Sequence, residues 1–379
     1  MPLYHTEDQT MLADTARQFM GEEGNIAKQL RHWRDKQCKD GFGHDLWKQL
    51  AELGFTGILV SEDDGGLGMG HVEAGIVLEE IGRNLTPSPF LTSSVMAATA
   101  LGAGSADLRG RYLPGLLSGE SVYAVAIDEG AKHRPERIKT RATRSGNGFK
   151  LNGSKAFVVH GGSADMLVVA ARTSGADDDA EGITLFAIPA DAAGLSQDAV
   201  RLVDSSMATH VKLDDVTLDA DAVIGEVDGG RELLNKVLSA GRIGAAAESV
   251  GVAGGAFDMT TTYLKQRKQF GKLIGEFQSL QHRAAHLYSE IEIARAATIK
   301  AQQLLDAGSE KAELMVSVAK AKAGKAAGLA VREGVQMHGG IGMTDEYDIG
   351  LYMKRDRALA EFMGDQYYHA ERVAQLSGY

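Results

Sequence analysis

Cysteine is almost absent: Cys38 is the only one in 379 residues. A lone thiol excludes an internal disulfide framework and any site built from several thiolates, and it fits a reducing compartment. Cys38 itself reads as a small, half-buried side chain. Positive charge is also scarce. Forty Lys and Arg against 51 Asp and Glu leave a formal net charge of -11. The cations are interspersed with acids, whereas a nucleic-acid partner asks for a basic patch or stripe, so no such partner is expected. An anionic ligand must then be held by a few placed groups. No apolar run approaches the roughly 20 residues that cross a bilayer. The opening Met1-Pro-Leu-Tyr-His-Thr-Glu-Asp-Gln-Thr10 lacks the basic start and apolar core of a secretion signal. Neither membrane insertion nor a metal site is expected, since no histidines and carboxylates share a ligand spacing, and the expected location is the cytoplasm.

The length exceeds what one hydrophobic core usually organises. Up to about residue 119 the pattern is helical, as in 45–53, where Leu46, Leu50 and Leu53 recur at helical spacing. Glycine punctuates it at Gly54 and in Asp63-Asp64-Gly65-Gly66. Near Val122 short β-prone runs begin, at 122–127, 149–152, 157–159, 166–171, 183–188 and 211–218. Gly146-Asn147-Gly148 and Asn152-Gly153 read as hairpin turns between them. The small, acidic stretch 173–182 reads as a mobile surface loop. From Gly230 onward Ala, Leu, Glu, Lys and Gln dominate, and helices are expected over about 231–268, 277–306, 309–336 and 350–375. Alanine and glycine crowd the stretch 240–255, as in helices that pack closely. The expectation is an α+β multidomain chain: an N-terminal helical domain (1–119), a central antiparallel β-domain (120–228) and a C-terminal four-helix bundle (229–379).

Two segments carry candidate chemistry. Arg267-x-x-Phe270-Gly271 closes a long helix with a cation and a glycine break, a plausible anion site, although an arginine there commonly only complements the helix dipole. Gln336-x-x-Gly339-Gly340-x-Gly342 joins two helices, where glycines usually serve only the turn. It is not a dinucleotide fingerprint, which places its glycines between a strand and a helix.

Taken together and in this order, the segments resemble the acyl-CoA dehydrogenase family over nearly the whole chain. Further matching stretches are Ile274-Gly-Glu-Phe-Gln278-Ser-Leu-Gln281-His282, Glu62-Asp-Asp-Gly-Gly-Leu-Gly68, Leu151-Asn-Gly-Ser-Lys155 and Val211-Lys-Leu-Asp-Asp-Val216. The resemblance implies FAD held between subunits of a dimer or tetramer, an acyl-CoA substrate, and an electron-transfer flavoprotein as acceptor. Arg267 and Phe270 would meet the diphosphate and adenosine side of FAD, with Gln278 nearby. Gln336, Gly339 and Gly340 would reach the cofactor of a neighbouring subunit. Phe157, Val158 and Val159 would lie against the flavin ring, where the family usually has a Trp and then a Thr or Ser.

Dehydrogenation takes a proton from Cα while a hydride leaves Cβ, and so it needs a carboxylate base. The family's usual Glu position falls on Met363, and its minority position falls on Gly241, before Arg242. Three explanations stand: Asp365 or Glu361 as a displaced base, a Glu supplied by a partner subunit, or flavin chemistry without a strong base. Within the family, Met363-Gly364-Asp365 followed by His369 and Arg372 is most similar to the small subunit of pimeloyl-CoA dehydrogenase and related two-subunit enzymes. A non-catalytic structural subunit is the reading from a different class. His160 is a candidate acyl-pocket residue or a hydrogen-bonded strand end; His282, His286 and His369 are expected in packing or at the surface, and Glu248 in a structural role.

Overall fold

The computed structural model describes residues 3–379; Met1 and Pro2, the start of the expected first domain, lie outside them. The order along the chain is helical, then sheet, then helical. The described chain folds into two compact units, one comprising 3–32, 71–87 and 242–379, the other 33–70 and 88–241.

The first unit is a helical assembly of Glu7–Glu22, His71–Asn84, the later part of Gly230–Gln266, and the helices Gln278–Asp306, Ala312–His338, Ile349–Glu361 and Gln366–Leu376. Its core alternates small and branched residues, Ile243, Ala246, Val250, Ala294, Val316, Ala319 and Ala323 among them. Small residues bring backbones together, as the composition of 240–255 implies. A Cβ on Gly251 would sit 2.0 Å from the Glu79 carbonyl oxygen, and one on Gly82 would sit 2.1 Å from that of Glu248. Glu248 is buried and accepts from Arg355 Nε and Nη2 at 2.8 and 2.6 Å, the structural role expected of it.

One expected helix is two. The stretch 350–375 breaks between Glu361 and Gln366, because Met363 and Gly364 both take positive φ (60° and 98°) and Asp365 caps the next helix. Helical periodicity runs straight through this break, so composition did not reveal it.

The second unit holds a sheet in the order β6-β7-β3-β2-β4-β5-β8, with β1 beside β4. Its strands are β1 Tyr123–Ala126, β2 Arg141–Ser145, β3 Gly148–Val159, β4 Met166–Arg172, β5 Ile183–Pro189, β6 Leu195–Arg201, β7 Met207–Leu218 and β8 Val223–Ile224. The sheet is mixed, not purely antiparallel, since β1 and β2 each pair parallel to β4. Gly146-Asn147 is the expected two-residue hairpin, closing Ser145 against Gly148. Asn152-Gly153 is no turn. It lies inside the 12-residue β3 at a register shift against β7, and Gly153 is needed because a Cβ there would meet Thr140 Cα at 2.7 Å. Strand β6 escapes sequence reading because most of its side chains face solvent.

The acidic loop 173–182 is pinned, contrary to the expectation of mobility. The buried Arg172 guanidinium donates to the carbonyls of Ile138, Ser174, Asp177, Asp179 and Glu181. Arg231 adds bonds to Asp179 and Ala180. Five donors in a planar fork can order a loop that has no apolar anchor of its own.

Candidate active site

In the helical unit, the long helix ends at Gln266 and runs into a small hairpin, Lys268–Gln269 against Lys272–Leu273. Phe270 and Gly271 form its tip with φ of 55° and 81°, the left-handed pair of a tight hairpin turn. Phe270 is 89% exposed, and no partner holds the Arg267 guanidinium among the described residues. Gln278 opens the following helix and is also exposed. Gln336 is exposed in the last turn of Ala312–His338, and the Gly339 N–H caps that helix on the Gln336 carbonyl.

Gly339 needs its freedom, with φ 65° and ψ -140°. Gly340 does not: its φ is not positive, and a Cβ on it would meet nothing in the chain within 4 Å. The chain's own packing therefore gives no reason for glycine at 340. Behind the turn, His338 lies stacked on Tyr263 (4.5 Å between ring centroids) and against Tyr347 (4.8 Å). Its Nδ1–H donates to the Gly334 carbonyl at 2.7 Å, while Nε2 is buried without a hydrogen bond. Burial pushes this imidazole below its ordinary pKa, with the bond to the Gly334 carbonyl opposing. Sequence reading overlooked His338, although it sits inside the glycine motif.

The break after Ile349–Glu361 holds Met363, where the sequence resemblance puts the family's base. Met363 is 6% exposed. Its carbonyl accepts from His369 Nε2 at 3.0 Å, and His369 is fully buried, a packing role as expected. Asp365 Oδ1 accepts the backbone N–H groups of Tyr367 (3.0 Å) and Tyr368 (2.8 Å), so this carboxylate is the N-cap of Gln366–Leu376. Glu361 is exposed and paired with Arg357 one turn earlier at 3.0 Å. Arg242 is buried, with Nη2 donating to the Tyr368 hydroxyl at 3.0 Å.

In the sheet unit, β3 shifts register against β7 between Lys155 and Val158. The bulge leaves Phe157 at φ 53° and 50% exposed, edge-on to His210 with centroids 6.0 Å apart. Val158 points the other way, into the sheet's core at 1% exposure, so its side chain cannot touch a ring on the Phe157 face; only its backbone can. Val159 is half-buried. Beside Phe157 opens a cleft of about 530 Å³, lined by Glu129, Lys155, Gln197, His210 and Lys212 among others. Lys155 is buried, donating to the Ile127 carbonyl (3.0 Å) and to Glu129 Oε1 (2.8 Å). Burial lowers the Lys155 pKa, with Glu129 opposing. Burial would raise that of Glu129, but the ammonium and Thr140 outweigh it and hold the carboxyl below its usual value.

His160 follows the strand at φ 58°, buried, its Nδ1 3.0 Å from Thr92 Oγ1 and its ring edge-on to Phe42 at 5.5 Å. It is a hydrogen-bonded strand end. Gly241 packs directly on Met96: a Cβ there would come within 2.9 Å of the Met96 sulfur. His282 and His286 are exposed. Among the described residues no helix is long and apolar enough to cross a membrane.

The fold of helices, sheet and helices is that of acyl-CoA-oxidising enzymes. Butyryl-CoA dehydrogenase of Megasphaera elsdenii superposes with a TM-score of 0.89 at 26% identity, over 99% of each chain. A variant of the Tcur3481-Tcur3483 steroid ACAD superposes with a TM-score of 0.88 at 30% identity, over 98% of each chain. The acyl-CoA dehydrogenase N-terminal, middle and C-terminal domains match residues 6–120, 127–216 and 228–377. Acyl-CoA dehydrogenase FadE12 of Mycobacterium tuberculosis is 33% identical over 336 residues, 86% of each chain. The chain belongs to the acyl-CoA dehydrogenase family, oxidoreductases that act on CH–CH groups and bind FAD.

Proposed function

We propose that this chain α,β-dehydrogenates an acyl-CoA thioester as one subunit of an oligomer in which a partner subunit supplies the carboxylate that takes the Cα proton. The observation that carries this reading is that none of the four candidate positions offers a free carboxylate. Met363 and Gly241 hold the two family positions, Asp365 is spent as a helix cap, and Glu361 is at the surface with Arg357. A carboxylate that accepts two backbone N–H groups at a helix start is aimed at that helix and away from a substrate. The relative named for two components, Tcur3481-Tcur3483, has the form such an assembly would take.

The chain's own residues fit FAD. Arg267 offers a cation with no side-chain partner among the described residues for a diphosphate, and Phe270 is an aromatic ring left in water at the hairpin tip. Gly340 leaves open space where a ligand's close approach would require glycine, with Gln336 and Gly339 beside it and Gln278 at the head of the next helix. On the sheet, Phe157 and Val159 present side chains and Val158 presents backbone. When bound, FAD supplies the hydride acceptor. The chain contributes placement, exclusion of water at the buried Met363 turn, and a fixed cofactor frame; its division into 1–119, 120–228 and 229–379 is the organisation that goes with this reading. A separate electron-transfer flavoprotein is the proposed acceptor of the electrons. A solved structure titled for the electron transferring flavoprotein of Acidaminococcus fermentans includes a chain that superposes with a TM-score of 0.91 at 26% identity, covering 100% of each.

The test is anaerobic mixing of the purified, FAD-loaded chain with a panel of acyl-CoAs, alone and with its co-purifying partner. Loss of oxidised-flavin absorbance only with the partner is the expected result. Bleaching by the chain alone that vanishes in Asp365→Asn would make Asp365 the base and overturn the partner reading.

A further inference from the structure

Lys320 lies in the middle of the helix Ala312–His338 and is 2% exposed. Its Nζ donates to the Leu359 carbonyl at 3.0 Å and to the Gly364 carbonyl at 3.2 Å. Those two oxygens stand on either side of the helix break, one in the last turn of Ile349–Glu361 and the other just before the Asp365 cap. Helix ends leave carbonyls without intrahelical partners, and a backbone or hydroxyl group usually supplies what they need. A buried ammonium is a costly substitute.

The turn it spans is held at each polar step. His369 takes the Met363 carbonyl, Lys320 the Gly364 carbonyl, and Asp365 the N–H groups of Tyr367 and Tyr368. Between these ties Met363 sits at φ 60°, a conformation that a long L side chain adopts only where its surroundings over-determine it.

We propose that Lys320 is a positioning residue for the acyl substrate: by bridging the Leu359 and Gly364 carbonyls, its ammonium holds the Met363 side chain in one place on the wall of the acyl site. This rests on the reading above, in which the Met363 turn borders the acyl-CoA. The bridge belongs to the protonated form. An ammonium makes both bonds with charge-assisted donors, whereas the neutral amine keeps two N–H groups for the two carbonyls but loses the charge that strengthens them.

The charged and titratable groups facing Lys320 come from three helices. Asp356 and Glu361 lie on Ile349–Glu361, Asp365 at the head of Gln366–Leu376, and Arg242 on the long helix. Burial lowers the Lys320 pKa to about 8, with the three carboxylates opposing and Arg242 adding to the shift. Burial raises Asp356 to about 6, against Arg332, Lys320 and Arg357. Both are charged between these values, and above about 8 the bridge weakens.

The test uses the full chain with FAD, labelled with methyl-13C methionine, the Met363 signal being assigned by its loss in Met363→Leu. The expected result is a Met363 methyl shift that titrates with a midpoint near 8 and is absent in Lys320→Arg, whose guanidinium keeps its proton. In parallel, the Kd for straight-chain acyl-CoAs should weaken several-fold from pH 7 to 9 in the wild type. It should stay flat in Lys320→Arg and be weaker at both pH values in folded Lys320→Met. A purely structural lysine would lower the melting temperature of Lys320→Met without moving the Kd of the folded fraction. A Met363 signal indifferent to pH, or one that titrates identically in Lys320→Arg, overturns the bridge. Undiminished acyl-CoA binding by folded Lys320→Met overturns the positioning role and leaves the substrate reading standing. Absence of acyl-CoA binding by the wild type overturns the substrate reading, and the positioning role with it, while the methyl titration still decides the bridge.

Discussion

At Gly241 the backbone is ordinary helix, and the space a side chain would need is filled by the Met96 thioether. At Met363 the side-chain space exists and the backbone is the unusual part, a left-handed residue between two helices, tied by Lys320, His369 and Asp365. Both positions lack the carboxylate that the family resemblance leads one to expect. The first has no room for it beside Met96, whereas the second has a side chain's space and a thioether in it. The two positions therefore differ in what a single substitution to Glu would meet.

The strongest way to break this contrast is Met363→Glu. With the frame in place, the isolated chain should reduce its flavin with an acyl-CoA about 10² to 10⁴ times faster than wild type, the usual worth of a positioned general base. Anaerobic stopped-flow absorbance reads it, and an unchanged rate would remove Met363 from the base position. Gly241→Glu should do the opposite: no gain in rate, and a loss of about 3 kcal/mol of stability from the clash and the buried charge. Urea unfolding measures the loss, and pairing it with Met96→Ala should restore part of the midpoint if Met96 is the obstacle.

Titration sharpens the contrast further, because the buried charges cluster at the Met363 turn. The folded pKa of Asp356 is raised from 3.8 to about 6, so its contribution to stability is fully present below 3.8 and is lost as pH rises through about 6. Lys320 is lowered from 10.5 to about 8, so the native state binds fewer protons than the unfolded chain between those values. Its burial therefore opposes folding below about 8, and that opposition is relieved as pH climbs toward 10.5. Unfolding curves over pH 4–10 should flatten on the acid side in Asp356→Asn and on the alkaline side in Lys320→Met. The smallest effect is expected for Asp365→Ala, about 1 kcal/mol from the lost cap, with flavin reduction by acyl-CoA and partner unchanged.

The order of helical and sheet regions, a long helix ending within two residues of Gln266 and the Gly146-Asn147 hairpin were all legible in the chain. Each is a local matter of periodicity or turn chemistry. Several features were not legible. Asn152-Gly153 has the composition of a turn, yet it lies in mid-strand because β7 pairs along both sides of it. Loop 173–182 has the composition of a mobile segment and is held by Arg172 and Arg231, whose reach to its carbonyls depends on the folded sheet. The break at Met363 hides inside a helical pattern, because what stops the helix is a lysine 43 residues earlier, a histidine beyond it and an aspartate beside it.

Residue types and their spacing were enough to mark the family, and on that resemblance to single out Met363 and Gly241 as places without the expected carboxylate. Why it is missing in two different ways, and what holds the frame where it would stand, was decided only when the chain folded. Room beside a glycine, the direction of a capping carboxylate and the burial of an ammonium are properties of neighbours brought together from distant parts of the sequence.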